Sequence, residues 1–421
     1  MDVTIRSSYD IIKKYYDSVL NVDSSLVKTS NDEPTPISCV EEMISSIPRD
    51  TWKNPSLKIL DPCCGCGNFF LVVFKKLREY HSEKHILENM LYWNDLNEDR
   101  LNVVKRVFCG DEYSLNITEK DYLEYDCEER FDMVLANPPY AKILSNGRRA
   151  SKNHNLIGKF IEKSLSILQR NGYLLFITPD NWMSYSDRNI LITRLTSLQI
   201  HHLNIHLAKR YFPKVGSSFA WYLIENTPSY KDIYVEGVYN GRRYSGNVRS
   251  QVRRFIPLYY TQMIQDILKK TIDTEGEKFK IETSSDLHKY TKRDLISTSE
   301  SESHPYKLIH TPKQTVWASR PHKYQSGFKV FISLTSYYGV FVDECGMTQS
   351  IAFIRVDSEE EAMNIKHVLE HPLYKMLNNI CRYGNFNNVR VLQGFPYHTD
   401  YDTVYEKFGI TGEEIEFIES L

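Results

Sequence analysis

From residue 57 onward the chain repeats one alternation: a short apolar run, a turn rich in glycine or acid, then an amphipathic stretch. Residues 57–61 (LKILD) read as a buried strand and 69–80 (FFLVVFKKLREY) as the helix behind it. Residues 90–95 (MLYWND) and 97–108 (NEDRLNVVKRVF) repeat the unit. A strand at 131–137 (FDMVLAN), a helix at 159–170 (KFIEKSLSILQR) and a strand at 172–179 (GYLLFITP) continue it. Ahead of these, residues 1–34 are polar and partly helical. After a PTP turn, Ile37, Val40, Ile44 and Ile47 recur at helical spacing over 37–47. Strands alternating with helices predict an α/β domain with a Rossmann-like, mixed but mostly parallel sheet covered on both faces. Ligands of such sheets lie outside the carboxyl ends of the strands, so functional residues are expected just after each strand.

After about residue 240 this pattern gives way to a region richer in Tyr, Arg and Lys, with one helix-like stretch at 255–272. The expected division is therefore 1–240 for the α/β domain and 241–421 for a second, α+β domain. Residues 240–330 hold 17 Lys and Arg against 9 Asp and Glu, whereas the tail from 399 holds seven acids and one base, Lys407. The net charge of −2 over 421 residues conceals this segregation. The Ser/Glu stretch 297–303 reads as an exposed loop. With 41% hydrophobic and 25% charged residues, a sizeable core needs no covalent staples. The eight cysteines lack the spacing of a disulfide framework, so reduced thiols are expected. Cys63, Cys64 and Cys66 crowd one turn, but no second Cys or His pair follows at zinc-like spacing, and no metal is expected. The first residues show no signal region and no apolar stretch is long enough to span a bilayer. The expected location is intracellular, in the cytoplasm of a bacterial or viral-host cell, without a membrane partner.

The first motif is DPCCGCGNFF (61–70), a strand running into a glycine turn and a helix. Gly65 and Gly67 let the backbone turn tightly and approach a ligand closely, and the helix start offers unpaired N–H groups. Many nucleotide sites share such a loop. No Lys-Ser/Thr follows it, so ATP hydrolysis is not favoured. Asp95 ends the second strand, where a carboxylate can accept two ribose hydroxyls; capping the next helix is its plainer role. Asp121 could accept from an adenine amino group, with Tyr122 covering the ring face. Asp111 competes with Asp121 for that place.

FDMVLANPPY (131–140) carries the sharpest signal. A buried strand runs straight into Asn137-Pro138-Pro139-Tyr140, and the prolines stiffen the backbone and remove two donors. What is left is a rigid pair of acceptors, the Asn137 side-chain oxygen and the Pro138 carbonyl, beside an aromatic ring. The amine of an aromatic base is a poor nucleophile because its lone pair is delocalised. Two acceptors aimed at its hydrogens favour a more tetrahedral nitrogen and stabilise the positive charge that develops there. Tyr140 would stack on the base.

With these residues in view, the chain resembles the gamma-class adenine-N6 DNA methyltransferases of restriction–modification systems. The resemblance covers about residues 33–225 by specific motifs. It implies S-adenosylmethionine as cofactor, a Rossmann-like methyltransferase domain and a C-terminal target-recognition domain. EPTPISCVEEM (33–43) is similar to the family's N-terminal element, so Thr35 and Pro36 inherit places beside the methionine end of the cofactor. The glycine loop carries over Asp61, Pro62, Gly65 and Gly67, and the adenine-binding stretch Asp121 and Tyr122. RYFPKVGSSFAWYLI (210–224) resembles the segment whose aromatic stacks on the far face of the extruded base, here Phe212; read alone, Phe212 would be ordinary core. Two departures stand out. Cysteines fill small-residue positions of the glycine loop, and an insertion separates Tyr140 from the helix at 159.

The resemblance implies double-stranded DNA as partner, with the target base swung out of the helix. The run Arg242, Arg243, Arg249, Arg253 and Arg254, with Tyr244 and Phe255 among them, suits phosphate contacts. The Asn-rich loop 382–396 suits base edges. A separate nuclease domain is not expected within this length. A modification enzyme acting as a monomer, alone or beside a cognate endonuclease that shares its site, is. Three alternatives share the motifs: a glutamine methyltransferase acting on protein, an RNA methyltransferase, and a DNA-binding relative that has lost catalysis. The long basic C-terminal region speaks against the first and the intact motifs against the last.

Overall fold

The computed structural model describes residues 3–26, 33–140, 156–187, 189–335, 337–384 and 386–421. The chain forms two compact units, Met1–Trp182 with Ile190–Arg253, and Met183–Asn189 with Arg254–Leu421.

The first unit is built on nine strands: β1 (Ile59–Asp61), β2 (Leu91–Asn94), β3 (Asn116–Thr118), β4 (Phe131–Ala136), β5 (Leu168–Pro179), β6 (Leu198–Ile205), β7 (Phe219–Pro228), β8 (Ile233–Tyr239) and β9 (Arg242–Val248). They lie in the order β3-β2-β1-β4-β5-β7-β6-β8-β9. The pairs from β3 to β5 are parallel, and β7 runs antiparallel between β5 and β6. The order reverses at β1 and β4, which are neighbours with the chain leaving them to opposite sides. This is the place where a crevice opens in such sheets.

Helices Asn68–Leu77, Glu98–Val107, Leu156–Ile167 and Ile190–Ser197 connect the successive strands. In the first of these, eight of ten residues are buried, as expected for a helix lying on a two-sided sheet. Phe70 and Phe108 meet Trp93 edge-on at 5.1 and 5.6 Å between ring centroids, locking two helices to β2. No helix is interposed between β3 and β4 among the described residues.

The division falls at Arg253/Arg254, later than residue 240, because the sheet continues through β9. Asn240 (φ 48) and Gly241 (φ 78) form a tight hairpin turn. Such a turn needs both residues left-handed, and Asn-Gly supplies that most readily. Arg242 and Arg243 therefore stand exposed on β9, and Arg249 is exposed just after it, while Arg253 is 4% exposed. These four arginines belong to the first unit, and of the run only Arg254 belongs to the second. The helix expected over 255–272 is confined to Gln262–Lys270. Ahead of it Phe255, Ile256, Leu258 and Tyr260 are all buried with no helical face, and Thr261 caps the start by accepting from the Ile264 N–H.

The second unit holds two four-stranded sheets, followed by helices. Its strands are β10 (Glu282–Thr283), β11 (Ile296–Ser297), β12 (Tyr306–Thr311), β13 (Gln314–Ala318), β14 (Lys329–Ser333), β15 (Val340–Asp343), β16 (Gly346–Met347) and β17 (Ile351–Arg355). They are ordered β10-β17-β14-β15 and β11-β13-β12-β16. Ile309, Phe331, Met347, Ile351 and Phe353 make one core, and Leu287, Leu308, Val316 and Ala318 another. Helices Glu359–Leu369, Pro372–Ile380 and Gly412–Glu419 complete an α+β unit. A short helix, Val389–Gln393, interrupts the stretch 382–396 expected as a loop. Among the described residues no helix is long and apolar enough to cross a membrane.

Three buried histidines of the second unit, His310, His322 and His371, are held well below the ordinary imidazole range, at about 4, chiefly by burial. Unfolding lets each take up a proton near 6.5, so the stability they contribute is present above that pH and is lost as pH falls toward 4. Thermal melts should therefore show the midpoint falling between pH 6.5 and 4. In His322→Gln, whose amide can still pair with the Ser284 hydroxyl, the slope should be shallower; an identical slope would refute the assignment for His322.

Candidate active site

The carboxyl ends of β1 to β6 carry, in turn, Asp61-Pro62, Asp95, Lys120-Asp121, Asn137, Asp180 and His206. Asn94, at the end of β2, ties three of these ends together. Its amide donates to the Pro62 and Lys120 carbonyls at 2.9 and 3.0 Å and accepts from the Thr118 hydroxyl at 2.7 Å.

The glycine loop is left-handed at Gly65 (φ 54) and Gly67 (φ 88). At Gly67 a Cβ would also lie 2.9 Å from the Phe108 ring, so packing and backbone both demand glycine. At Gly65 a Cβ would meet only open space. The Asp95 carboxylate spans the loop and the next turn, accepting from the Gly65 and Asn97 N–H groups, each at 2.9 Å. Asp61 is 1% exposed and accepts from the Cys63 N–H at 3.2 Å. Burial, reinforced by the charge of Asp95, pushes its carboxyl well above the usual carboxylate range. Cys64 and Cys66 are buried under the loop, and the Tyr16 hydroxyl donates to the Cys66 carbonyl at 2.8 Å.

Beside this loop lies a small cavity, partly open to solvent, whose wall includes Thr35, Gly65, Asn68, Phe69, Arg100 and Asn137. The N-terminal segment closes one side of it. Arg100 donates to the Leu26 carbonyl at 2.9 Å, and the Asn68 amide to Asn21 and to the Thr35 carbonyl at 2.9 and 2.8 Å. The Thr35 hydroxyl is buried in this wall with no hydrogen-bond partner among the described residues.

Asn137 is gripped from two sides. Its amide nitrogen donates to the Glu33 carbonyl at 3.0 Å, and its side-chain oxygen accepts from the Tyr140 hydroxyl at 2.7 Å. The Cys63 thiol donates to the Asn137 main-chain carbonyl at 3.6 Å, joining the glycine loop to the NPPY turn. Pro138 is buried and Pro139 exposed. Tyr140 is 4% exposed, and burial keeps its hydroxyl protonated far above the ordinary phenol range, so it stays a donor. The insertion after Tyr140 lies outside the described residues up to Leu156.

Phe212 is 1% exposed and packs on Phe219, ring centroids 4.7 Å apart; Tyr140 meets Phe219 at 6.0 Å. The two rings expected to clamp a base thus lie on one aromatic cluster. Tyr122 is turned inward instead, its hydroxyl 3.0 Å from Ser164 Oγ and its ring against Phe160, away from the cavity wall. Asp121 lies three residues after the end of β3 and is exposed, whereas Asp111 precedes β3 and stands at the other end of the sheet. Several residues of this site carry no individual signal in the sequence: the Glu33 carbonyl, Asn68, Asn94, Arg100 and the pair Asp180–His206. Leu96, directly after Asp95, is 67% exposed.

The comparisons with known proteins agree with the motifs. Residues 67–208, from the end of the glycine loop through NPPY, match the family described as Eco57I restriction-modification methylase. The resemblance therefore holds for this motif-bearing segment. The chain is 28% identical over 159 residues to the Type II methyltransferase M.VspI of Vibrio sp. (strain 343), a match covering 35% of this chain and 36% of that protein. It thus spans about a third of the length of this relative. It is 23% identical over 364 residues to an uncharacterized adenine-specific methylase of Mycoplasma pneumoniae, covering 64% of this chain and 82% of that one. Among solved structures, the DrdV–DNA complex superposes with a TM-score of 0.56 at 12% identity, over 97% of this chain and 59% of that one. At such identity the likeness is one of fold.

His206 closes the neck of the loop that carries Phe212. It follows β6 with a left-handed backbone (φ 69), its N–H donates to the Phe219 carbonyl at 2.9 Å, and its ring meets the Asp180 carboxylate at 2.5 Å. Asp180 follows β5, so the pair bridges over the start of β7, which lies between those strands. Asp180→Ala is expected to remove about 1–3 kcal/mol of local stability and to speed amide hydrogen exchange across residues 207–218, leaving β4 unchanged. Exchange that rises equally in both places, or in neither, would rule out the clamp.

Proposed function

We propose that this chain is a DNA methyltransferase that uses S-adenosylmethionine to methylate the N6 amine of an adenine swung out of double-stranded DNA. One observation carries the reading: Asn137, its amide orientation imposed from both ends, stands in the wall of the same cavity as the glycine loop.

The residues suit the cofactor. The unpartnered Thr35 hydroxyl offers a hydrogen bond to a polar amino-acid end, with Pro36 starting the helix behind it. Gly65, with open space where a Cβ would be, leaves room for close approach. Asp95 suits a ribose diol, and exposed Leu96 with Asp121 suits a purine and its amino group. When bound, S-adenosylmethionine supplies an electrophilic methyl group. The chain supplies the rest. Asn137 Oδ1 has two lone pairs, one accepting from Tyr140 and one left for an amine hydrogen. The Pro138 carbonyl takes the second hydrogen. Together they hold the nitrogen with its lone pair free and stabilise its developing positive charge, without an ionisable base in the attacking step. Tyr140 and Phe212 stack on the base. The partner is double-stranded DNA, with the second unit as the reader of its sequence.

Incubating the protein with methyl-labelled cofactor and duplex DNA should yield N6-methyladenine; label found only in protein or RNA would overturn the reading. Asn137→Ala should lower transfer by about a hundredfold or more, the scale seen when one preorganised polar partner is removed from a reacting centre. Cofactor binding, measured by calorimetry, should survive. Wild-type turnover in that variant would remove the mechanism.

A further inference from the structure

Resting on the reading of the protein as a DNA-modifying enzyme, we propose that Tyr337 and Phe386 form a wedge in the second unit that enters the duplex when a base is extruded.

Tyr337 is 84% exposed and Phe386 64%, each beside a neighbour held by hydrogen bonds to the unit's interior. The residue after Tyr337 is Tyr338, whose hydroxyl donates to the Leu369 carbonyl at 2.9 Å. The residue after Phe386 is Asn387, 3% exposed, whose amide donates to the Ser333 carbonyl at 2.7 Å and accepts from Asn378 at 3.0 Å. With Tyr338 and Asn387 anchored to the interior, Tyr337 and Phe386 stand on the solvent side of their loops. The two loops are stitched together by the Thr335–Phe386 bridge and by the Asn387 N–H donating to the Leu334 carbonyl at 3.0 Å. The Arg382 guanidinium lies over the Tyr337 ring, 5.8 Å from its centroid, and adds positive charge beside the ring.

Two aromatic rings held in water cost apolar exposure, and a stitched tip cannot fold them away. Their chemistry matches a stacked nucleobase beside a phosphate: flat π-faces for the base and a guanidinium for the anion. An extruded base leaves a gap, and the lost stacking costs a few kcal/mol. A ring inserted there restores part of it, already oriented and with little ordering entropy to lose.

The test uses the full chain and a short duplex carrying the site that the wild-type protein methylates. Tyr337→Ala/Phe386→Ala should lower methylation of the paired duplex at least about tenfold, the equivalent of one lost stacking contact. The same variant should be close to wild type on a duplex whose target base is mismatched, where stacking is already weakened. Tyr337→Phe, which keeps the ring, should match wild type on both. The substituted rings are exposed, so the melting midpoint should not move. Equal losses on paired and mismatched duplexes, or no loss on either, would overturn the wedge. A wild-type protein that methylates neither duplex would overturn the underlying reading instead.

Discussion

Everything at the candidate site depends on which way one amide points. A primary amide has a donor end and an acceptor end, and a carbonyl can only accept. The Glu33 carbonyl therefore selects the nitrogen of Asn137, and the Tyr140 hydroxyl takes the oxygen. The opposite rotamer would set oxygen against oxygen and leave buried groups unpaired, at a cost of about 1–3 kcal/mol. The Glu33 end of this arrangement is itself held. Two residues on, the Thr35 carbonyl accepts from Asn68 in the helix behind the glycine loop. The NPPY turn, N-terminal segment and glycine loop are therefore one hydrogen-bonded assembly, with the cavity between them.

The electrostatics follow from the same burial. Asp61 and Asp95 approach one loop, and their repulsion in a poorly solvated place is relieved unequally. Asp95 accepts from two backbone N–H groups, whereas Asp61 is fully enclosed and pushed toward its neutral form. Asp95, held by those two donors, is the better stabilised carboxylate of the pair. Tyr140, protonated by burial, lends a hydrogen to Asn137 and adds no charge. A site of this kind, with fixed dipoles and one anchored charge, suits a reaction in which positive charge develops on a neutral amine.

Much of this was legible because backbone rules write themselves locally. Apolar runs ending in an acid, or in Asn-Pro, mark β1, β2 and β4, and the glycine and NPPY turns fall where β1 and β4 stop. What could not be read is what topology brings together across the chain. Asp111 and Asp121 are equivalent in sequence until β3 is seen to run parallel to β2, which sends one to each end of the sheet. Asp180 and His206 meet across the start of β7, which lies between β5 and β6. The boundary at 240 was misplaced for a different reason. Arg242 and Arg243 lie on a strand whose face is open to water, so its sequence looks like the end of a domain although Asn240-Gly241 is a hairpin signal. Tyr122, an aromatic beside an exposed acid, is drawn inward by Phe160 and Ser164, partners far along the chain.

One device recurs in both units: a side chain is set in place by hydrogen-bonded anchors, some adjacent in the chain and some far from it. In the second unit Asn387 and Tyr338 anchor the loops on which Phe386 and Tyr337 stand exposed. In the first, His206 and Asp180 close the loop that carries Phe212, and the Glu33 carbonyl sets Asn137. The energetic logic is common to all of them. Ordering a free side chain on binding costs about 0.5–1.5 kcal/mol each, and extruding a base from a duplex already costs a few kcal/mol. A protein that meets the second cost can least sustain the first. Spending stability on anchors during folding moves the ordering cost out of any binding step.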